Sequence, residues 1–599
     1  MIDSIPHRVL RFAERQPEHP ALHFRPGENW QTTTWRQYGD AVLDFAGALL
    51  ALGYAPGQGV GILGNNRPEW IIADLGAMAA RAVPAGIYQT LTAEQAAYIA
   101  DHCEAKVVVV EDARQWEKLR QELDAGRLPK VEKVVLMTGA VDDPRTVPFF
   151  EFLSTGRDHR AAVEARLAEL QDDDLATLIY TSGTTGPPKG VMLTHRNLAW
   201  TAQQANEAVG GFLSPADSVV SYLPLSHIAE QMFSIHLPAT YGFPLWMTDR
   251  MESLKDTLLA GRPTLFLAVP RVWEKFKAAL EGKLAEAKGP KAAIVRWARG
   301  VGAKAAPALV ERGELSGLLA IQYRAANRLF FSKLAAGLGL DRLQCAVTGA
   351  APIGRDVLDF FASCGVLIHE VYGQSEDAGP TTFNQVRPGQ RRLGSAGKPL
   401  PGVDVRIAAD GEICVRGPNV FAGYYKEPAA TAETLIDGWL HSGDVGRFDE
   451  DGFLYITDRK KDLIITAGGK NVAPQNIEKR LKAIPGVGQA VVIGDRRKYL
   501  SALLTLDPEA APRIAAEHGL PTDLHALAVH PGLHQLLQAG VDRANDGLAR
   551  YEQVKRFAVL PIDFTVEGGE LTPTQKVKRK VVNEKYAEQI AHLYDEPGS

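Results

Sequence analysis

Residues 178–190 read LIYTSGTTGPPKG. An apolar strand end, Leu178 to Tyr180, runs into Thr181, Ser182, Gly183, Thr184, Thr185 and Gly186, and Lys189 follows a pair of prolines. The chemistry suits a polyphosphate. Glycines let the backbone approach closely, and successive N–H groups and hydroxyls donate to anionic oxygens. Lys189 adds a point charge. The loop is not a Walker A sequence, because Gly186 and Lys189 stand too close and no Ser or Thr follows the lysine. A Gly/Ser/Thr-rich run alone more often marks a linker. This order, directly after an apolar strand, argues against a linker.

Working outward, short β-rich runs alternate with helical patterns through the first two thirds of the chain. Examples are 106–111 (KVVVVE), 133–137 (KVVLM) and 264–269 (TLFLAV), with a helical stretch at 35–52. The alternation predicts α/β layers with largely parallel sheets. From Val403 the pattern changes to short antiparallel strands, with hairpin signals at Asp410-Gly411 and Asp451-Gly452. After Asp458 a smaller αβ module follows, behind a charged segment, Asp458-Arg459-Lys460-Lys461-Asp462, that reads as either a solvated turn or a hinge. The expected class is α/β: a large N-terminal domain (1–457) of layered sheets and helices, and a smaller mobile α+β C-terminal domain (458–599).

The chain has 599 residues, and at roughly 150 per domain that suggests about four modules, although large α/β domains run longer. Charged residues are 23% and the formal net charge is −5, which argues against a nucleic-acid binder. Cys103, Cys345, Cys364 and Cys414 form no CxxC pair and have no histidine cluster near them in sequence. They read as buried free thiols of a reducing compartment, not as a zinc site or disulfide framework. The N-terminal stretch lacks an apolar core with a cleavage site. The most apolar run, 71–88, is interrupted by Asp74, Arg81 and Pro84, so no spanning helix is expected. The expected location is cytoplasmic. One segment departs in charge: residues 271–340 hold 13 Lys+Arg against 5 Asp+Glu. Either it is a solvated helical hairpin, or it makes peripheral contact with an anionic membrane.

Six further stretches follow the phosphate loop in order: SYLPLSHIAEQ (221–231), VTGAAPI (347–353), VYGQSED (371–377), GWLHSGDVG (438–446), ITDRKKDLIITAGGKNVAP (456–474) and LTPTQKVKR (571–579). With YTSGTTGPPKG, their content and order resemble the adenylate-forming superfamily of acyl-CoA synthetases, peptide-synthetase adenylation domains and firefly-type luciferases. The resemblance runs from about residue 30 to 585. YLPLSHIAEQ, the VPRVWEKF block (269–276) and the long helical insertion after it look most like long-chain fatty acyl-CoA synthetases, especially the bubblegum branch and its bacterial relatives.

That resemblance implies two half-reactions. A carboxylate attacks the α-phosphate of ATP to give acyl-AMP and pyrophosphate, and CoA then takes the acyl group and releases AMP. It implies ATP, Mg²⁺ and CoA, and a nucleotide held by Thr181 to Gly186 and Lys189. Glu376 matches the magnesium-ligand glutamate, with Thr181 as the second metal contact; oxygen donors are what Mg²⁺ prefers. Tyr372 resembles the aromatic that stacks on adenine, within Gly373, Gln374 and Ser375. Ser375 stands where the family often has Thr. Gly349, Ala350 and Ala351 would let nucleotide and acyl carboxyl approach backbone. Asp444 matches the ribose-binding aspartate, Arg459 a second nucleotide contact, and Lys461 the hinge position. Lys576 matches the lysine bridging acyl carboxylate and α-phosphate, and His227 the histidine by the acyl carboxyl.

Gly373 stands where an acetate-specific branch has a pocket-closing Trp, so the resemblance implies an open acyl tunnel there. Leu329-Phe330-Phe331 reads either as a stretch that inserts into a membrane interface or, with Phe330 and Phe331 as core residues, as part of a helical layer whose basic residues form a solvated face. A long-chain fatty acid–CoA ligase is the leading reading. The alternatives are a medium-chain, aryl or other carboxylate–CoA ligase, an adenylation-only enzyme, and a non-enzymatic lipid-binding protein. Oligomeric state, including a homo-oligomer, stays open.

Overall fold

The computed structural model describes residues 3–181, 187–248, 250–468, 470–572 and 575–595. Its largest sheet has eight strands. Six run parallel, in the spatial order Leu175–Thr181, Val83–Ile87, Gly59–Leu63, Val107–Val110, Lys133–Leu136 and Thr146–Pro148. Lys189–Thr194 and then Gly423–Tyr424 extend it antiparallel. Val107–Val110 is buried along its whole length, as a strand covered by helices on both faces must be. The helix Trp35–Ala51 starts at a capping box in which Thr34 accepts from the Gln37 N–H and Gln37 reaches back to Thr34.

A second sheet joins Leu265–Ala268, Cys345–Thr348 and Ile368–Tyr372 in parallel. The segment with antiparallel signals forms them. Asp404–Ile407 pairs with Glu412–Arg416, and Trp439–Phe448 with Leu454–Arg459; Gly411 and Gly452 take left-handed φ values of 86° and 80° in the two turns. After it, Val487–Ile493, Leu500–Leu506 and Val554–Leu560 make a three-stranded sheet flanked by helices.

The buried apolar clusters divide near residue 458. Those containing Ile5, Leu63, Val220 or Val295 draw on residues up to Ile456, while those containing Ile464 or Val491 draw only on residues beyond it. The apolar run 71–88 is divided between the helix Pro68–Ala79 and the strand Val83–Ile87. Among the described residues no helix is long and apolar enough to cross a membrane.

Phe330 and Phe331 follow the core reading of their segment. Both are buried, packed with Val295, Ala298 and Val301 of the helix Gly289–Arg312. The burial of these rings removes them from any membrane-inserting role. The exposed apolar side chains of the basic segment are instead Ile294, Trp297, Leu318, Ile321 and Leu329.

Candidate active site

The site forms where parallel strands end, the usual place for ligands on such sheets. Cys345–Thr348 and Ile368–Tyr372 lie side by side, with Thr348 opposite Glu370. Their continuations, 349–351 and 372–376, therefore emerge together. Gly349 lies against Val371: a Cβ there would stand 2.5 Å from Val371 Cγ1 and 3.0 Å from its carbonyl oxygen. Ala350 takes φ +67°, while Ala351 is exposed.

Tyr372 donates its hydroxyl to Asp444 Oδ2 at 2.9 Å, and Arg459 Nε stands 3.3 Å from Asp444 Oδ1. The last contact follows from the hairpin register, which pairs Asp444 with Arg459. Burial raises the Asp444 carboxyl above its ordinary range, against the pull of Arg459. Glu376, two residues past Gln374, is likewise raised by burial, with a Tyr424 hydroxyl at 2.8 Å from Oε1 as the main opposing influence.

Lys576 meets these acids from the other end of the chain. A tight turn carries it: Thr572 N–H donates to the Lys576 carbonyl at 2.8 Å, and Lys576 N–H donates to Thr572 Oγ1 at 3.0 Å. Its ammonium is pushed down to about 8, first by burial and then by Arg459, with Asp444 and Glu376 opposing. His227 caps the helix Ile228–Gln231, its Nδ1 accepting from the Ala229 N–H at 3.1 Å. That bond assigns the ring proton to Nε2. Burial, helped by the Lys576 charge, pushes His227 down to about 3, so the ring is neutral at physiological pH.

Thr181 and Lys189 face each other as a strand pair across the phosphate loop. The loop residues between them that carry expected roles, Ser182, Gly183, Thr184, Thr185 and Gly186, lie outside the described residues. The Lys189 ammonium stands 5.0 Å from the centre of the Tyr424 ring, whose hydroxyl holds Glu376. Tyr424 thus links the loop lysine to the acid. Ser375 is buried and Gln374 half-buried; the Gln374 N–H donates to Asp377 Oδ1 at 2.7 Å. Lys461 is exposed on the turn after Arg459.

The tunnel role expected of Gly373 does not hold. A Cβ there would stand 1.5 Å from the Gly379 carbonyl oxygen and 3.1 Å from Asp377 Oδ1. The missing side chain points into the turn 373–379, so the glycine permits that turn to close and does not hold an acyl channel open.

Three contributors were given no role in the sequence reading, two of them inside its motifs. Tyr424 is one. Asp377, fully buried beside Glu376 and raised well above its ordinary value by burial, shapes the turn. Glu230, buried between Ser221 and Ser234, accepts both hydroxyls at 2.6 Å and is pushed up to about 7 by burial. It pins the strand end to the helix that His227 caps. Glu230 was legible inside the SYLPLSHIAEQ stretch; Tyr424 carried no local signal. The cysteines are free and buried, as their sequence context implied, and one of them has a single histidine beside it. Strand pairing sets Cys414 opposite His441, with Sγ 3.7 Å from Nδ1 and Glu412 beside both. Lys460 already neutralises Glu412 at 3.1 Å, and the acid also accepts the Gly443 N–H at 2.9 Å. The trio belongs to the ion-paired support of the hairpin that presents Asp444.

The lining of a cavity of about 240 Å³ beside this site includes Asn65, Asn66, Gln89, Tyr222, Leu223 and Gln575. Ligand pockets commonly span roughly 300–1,000 Å³, so this cavity is smaller than most.

A phosphate-loop hairpin, a buried acid beside it, an aspartate bridged by tyrosine and arginine, and a lysine arriving from the segment beyond the C-terminal sheet define a nucleotide-handling enzyme. The chain belongs to the AMP-binding enzyme family: the AMP-binding enzyme model matches residues 9–425, and the AMP-binding enzyme C-terminal domain model matches 461–597. It is 38% identical to the long-chain-fatty-acid–CoA ligase ACSBG2 of Xenopus laevis, over 97% of this chain and 82% of that protein. It is also 38% identical to the long-chain-fatty-acid–CoA ligase FadD15 of Mycobacterium tuberculosis, over 94% of this chain and 93% of that one. Its fold is similar to that of the anthranilate CoA ligase AuaEII solved in complex with anthranoyl-AMP, with a TM-score of 0.75 and 21% identity over 98% of both chains.

Proposed function

We propose that this chain is a long-chain fatty acid–CoA ligase that converts fatty acid, ATP and CoA to acyl-CoA, AMP and pyrophosphate through an acyl-adenylate. The observation that carries the reading is the gathering of Glu376, Asp444, Arg459 and Lys576, with His227 close by, from four separate motifs. The long-chain assignment rests on the names of the curated relatives.

In this reading a fatty carboxylate oxygen attacks the α-phosphorus and pyrophosphate leaves. Lys576 stabilises the charge that develops between carboxylate and phosphate. Asp444 accepts the ribose hydroxyls, for which an acceptor-only carboxylate is suited. Tyr372 and Arg459 hold Asp444 in place and border the nucleotide. Gly349, Ala350 and Ala351 offer backbone to the acyl phosphate, and Gly373, Gln374 and Ser375 line the same opening. Thr181 to Gly186 with Lys189 bind the outgoing pyrophosphate. The CoA sulfur then attacks the acyl carbonyl, losing its proton as AMP departs. Neutral His227 serves as a hydrogen-bond donor at the acyl carboxyl.

Glu376 and Thr181 fit Mg²⁺: both offer oxygen, and burial disfavours the Glu376 carboxylate, held by one neutral hydroxyl, so a divalent cation beside it would stabilise the charged form. Bound there, the ion would neutralise triphosphate charge. Residues 458–599 act as the mobile domain on 1–457, with Lys461 at the pivot; the separate buried clusters support that division.

Ile294, Trp297, Leu318, Ile321 and Leu329, exposed among the 13 basic residues of 271–340, form a surface for anionic lipid. Attachment there is peripheral and weakened by salt. Sedimentation with anionic liposomes at low salt tests it. Leu318→Ser with Ile321→Ser should lower binding, and no binding by the parent chain refutes it.

A pyrophosphate-release screen from acetate to very-long-chain acids, with and without CoA, tests the main reading. Turnover and thioester with palmitate support it. Best turnover with medium-chain or aryl acids moves the substrate class, acyl-AMP without thioester makes it an adenylation-only enzyme, and no turnover with any acid leaves a binding protein.

A further inference from the structure

Outside the groups that converge on Lys576, one helix of the N-terminal part grips the C-terminal part through charge. Arg271, at the start of the helix Pro270–Ala285, directs Nη2 between two aspartates, 3.2 Å from Asp507 Oδ2 and 2.9 Å from Asp563 Oδ2. Glu274, one turn on, lies 3.6 Å from Arg271 Nη1 and accepts Lys482 Nζ at 3.3 Å. The charges alternate across the junction: Lys482, Glu274, Arg271, then the aspartate pair. All five side chains are mostly buried.

The aspartates are already set to receive a cation. Asp507 Oδ1 accepts the N–H groups of Glu509 and Ala510, at 3.0 and 2.8 Å. Asp563 Oδ1 accepts the Thr505 hydroxyl at 2.6 Å and the Phe564 N–H at 3.0 Å. In each case the second oxygen is the one that meets Arg271. Every one of these fixing bonds lies within the C-terminal part, so the socket travels with it as a unit. Asp563 also lies on the segment between the strand Val554–Leu560 and the turn that carries Lys576.

We infer that Arg271 is a positioning residue: its bridge to Asp507 and Asp563 latches the C-terminal part in the orientation that places Lys576 beside Glu376 and Asp444. If that part turns away, two aspartates that share one guanidinium are left without it, and a half-buried Arg271 loses both partners. Undocking the intact pair costs the net worth of the bridge, and close charge pairs across an interface are measurably favourable in double-mutant cycles. The latch therefore biases the two-orientation equilibrium toward adenylation, and its strength sets how readily the enzyme passes to thioester formation. The inference rests on the proposed function, in which Lys576 serves the first half-reaction.

The test measures each half-reaction separately on the full-length enzyme: pyrophosphate release with palmitate and ATP, and thioester formation from supplied palmitoyl-AMP and CoA. Arg271→Met should slow pyrophosphate release by about two- to 150-fold, the range for residues coupled in one salt-bridge network, while thioester formation holds or rises. Asp563→Asn reads the same contact from the other side if Arg271→Met does not fold. Exchanging the charges, Arg271→Glu with Asp563→Lys, should restore part of the first rate. Equal loss in both half-reactions with a lowered Tm would mean a structural role only and overturns the latch. An unchanged ratio of the two rates overturns it as well. Lys576→Met keeps the two readings apart: if it abolishes adenylation while Arg271→Met changes nothing, the latch fails and the proposed function stands. If Lys576→Met spares adenylation, the proposed function fails first.

Discussion

Replacing Lys576 with methionine keeps most of the stem volume and removes the charge. In the structure that charge lies beside Asp444 and Glu376 and is pushed down to about 8 by burial and by Arg459. Losing one preorganised charge contact from a transition state costs about 3–4 kcal/mol, or 10²–10³ in rate, and that is the loss expected for adenylation. Thioester formation from supplied acyl-AMP should be largely spared if, as proposed above, it uses a different face of the C-terminal part. The pH dependence supplies a second measure. Adenylation needs the protonated ammonium, so kcat/KM should hold below pH 8 and fall as pH rises through it. With a pKa near 8, roughly nine tenths of the lysine is charged at pH 7 and roughly one tenth at pH 9, a fall of about ninefold between them. Lys576→Arg keeps its charge throughout and should lose this alkaline limb even if its fork fits poorly and the plateau is lower. The assay is initial-rate pyrophosphate release from pH 6 to 10, paired with thioester formation. Equal losses in both half-reactions for Lys576→Met, or the same alkaline limb in Lys576→Arg, would refute the reasoning.

Other outcomes follow from the same geometry. Gly373→Ala drives a Cβ into the Gly379 carbonyl and should lower Tm and depress turnover alike with butyrate and palmitate; a selective shift toward short acids would restore the tunnel role. Tyr424→Phe removes the hydroxyl on Glu376 and should raise the Mg²⁺ needed for half-maximal rate by about tenfold, the scale of one hydrogen bond to a charged group; an unchanged Mg²⁺ titration would separate Glu376 from the metal. Asp74 is buried, neither of its oxygens has a hydrogen-bond partner among the described residues, and burial pushes it up to about 8. Because its folded pKa lies above the unfolded value of about 3.9, its contribution is full below that value and is lost as pH rises toward 8. Asp74→Asn should therefore raise Tm at pH 8 more than at pH 5, and thermal melts at both values check the sign.

Much of the site was legible along the chain because its chemistry is local. A phosphate loop needs its glycines and hydroxyls in succession, a strand-end turn needs Tyr372 through Glu376 together, and the Asp410-Gly411 and Asp451-Gly452 turns form where left-handed backbone is required. The strand at 107–110 and the helix from Trp35 were legible for the same reason: their side-chain patterns repeat within a few residues. Other features depended on where distant segments meet. Phe330 and Phe331 on a basic helix suit a membrane as well as a core, and only the neighbouring helix with Val295 and Ala298 decided between them. The identity of Gly373 says nothing about which way its absent side chain would point, and the Gly379 carbonyl answered that. Tyr424 reaches Glu376 across 48 residues, and Arg271 reaches Asp563 across 292. The sequence by itself determined which groups could handle an acyl phosphate. Tertiary structure decided which of them meet, with Lys576 set beside Asp444 and Glu376, because hydrogen bonds and ion pairs act over a few ångströms of space, however far apart along the chain their partners lie.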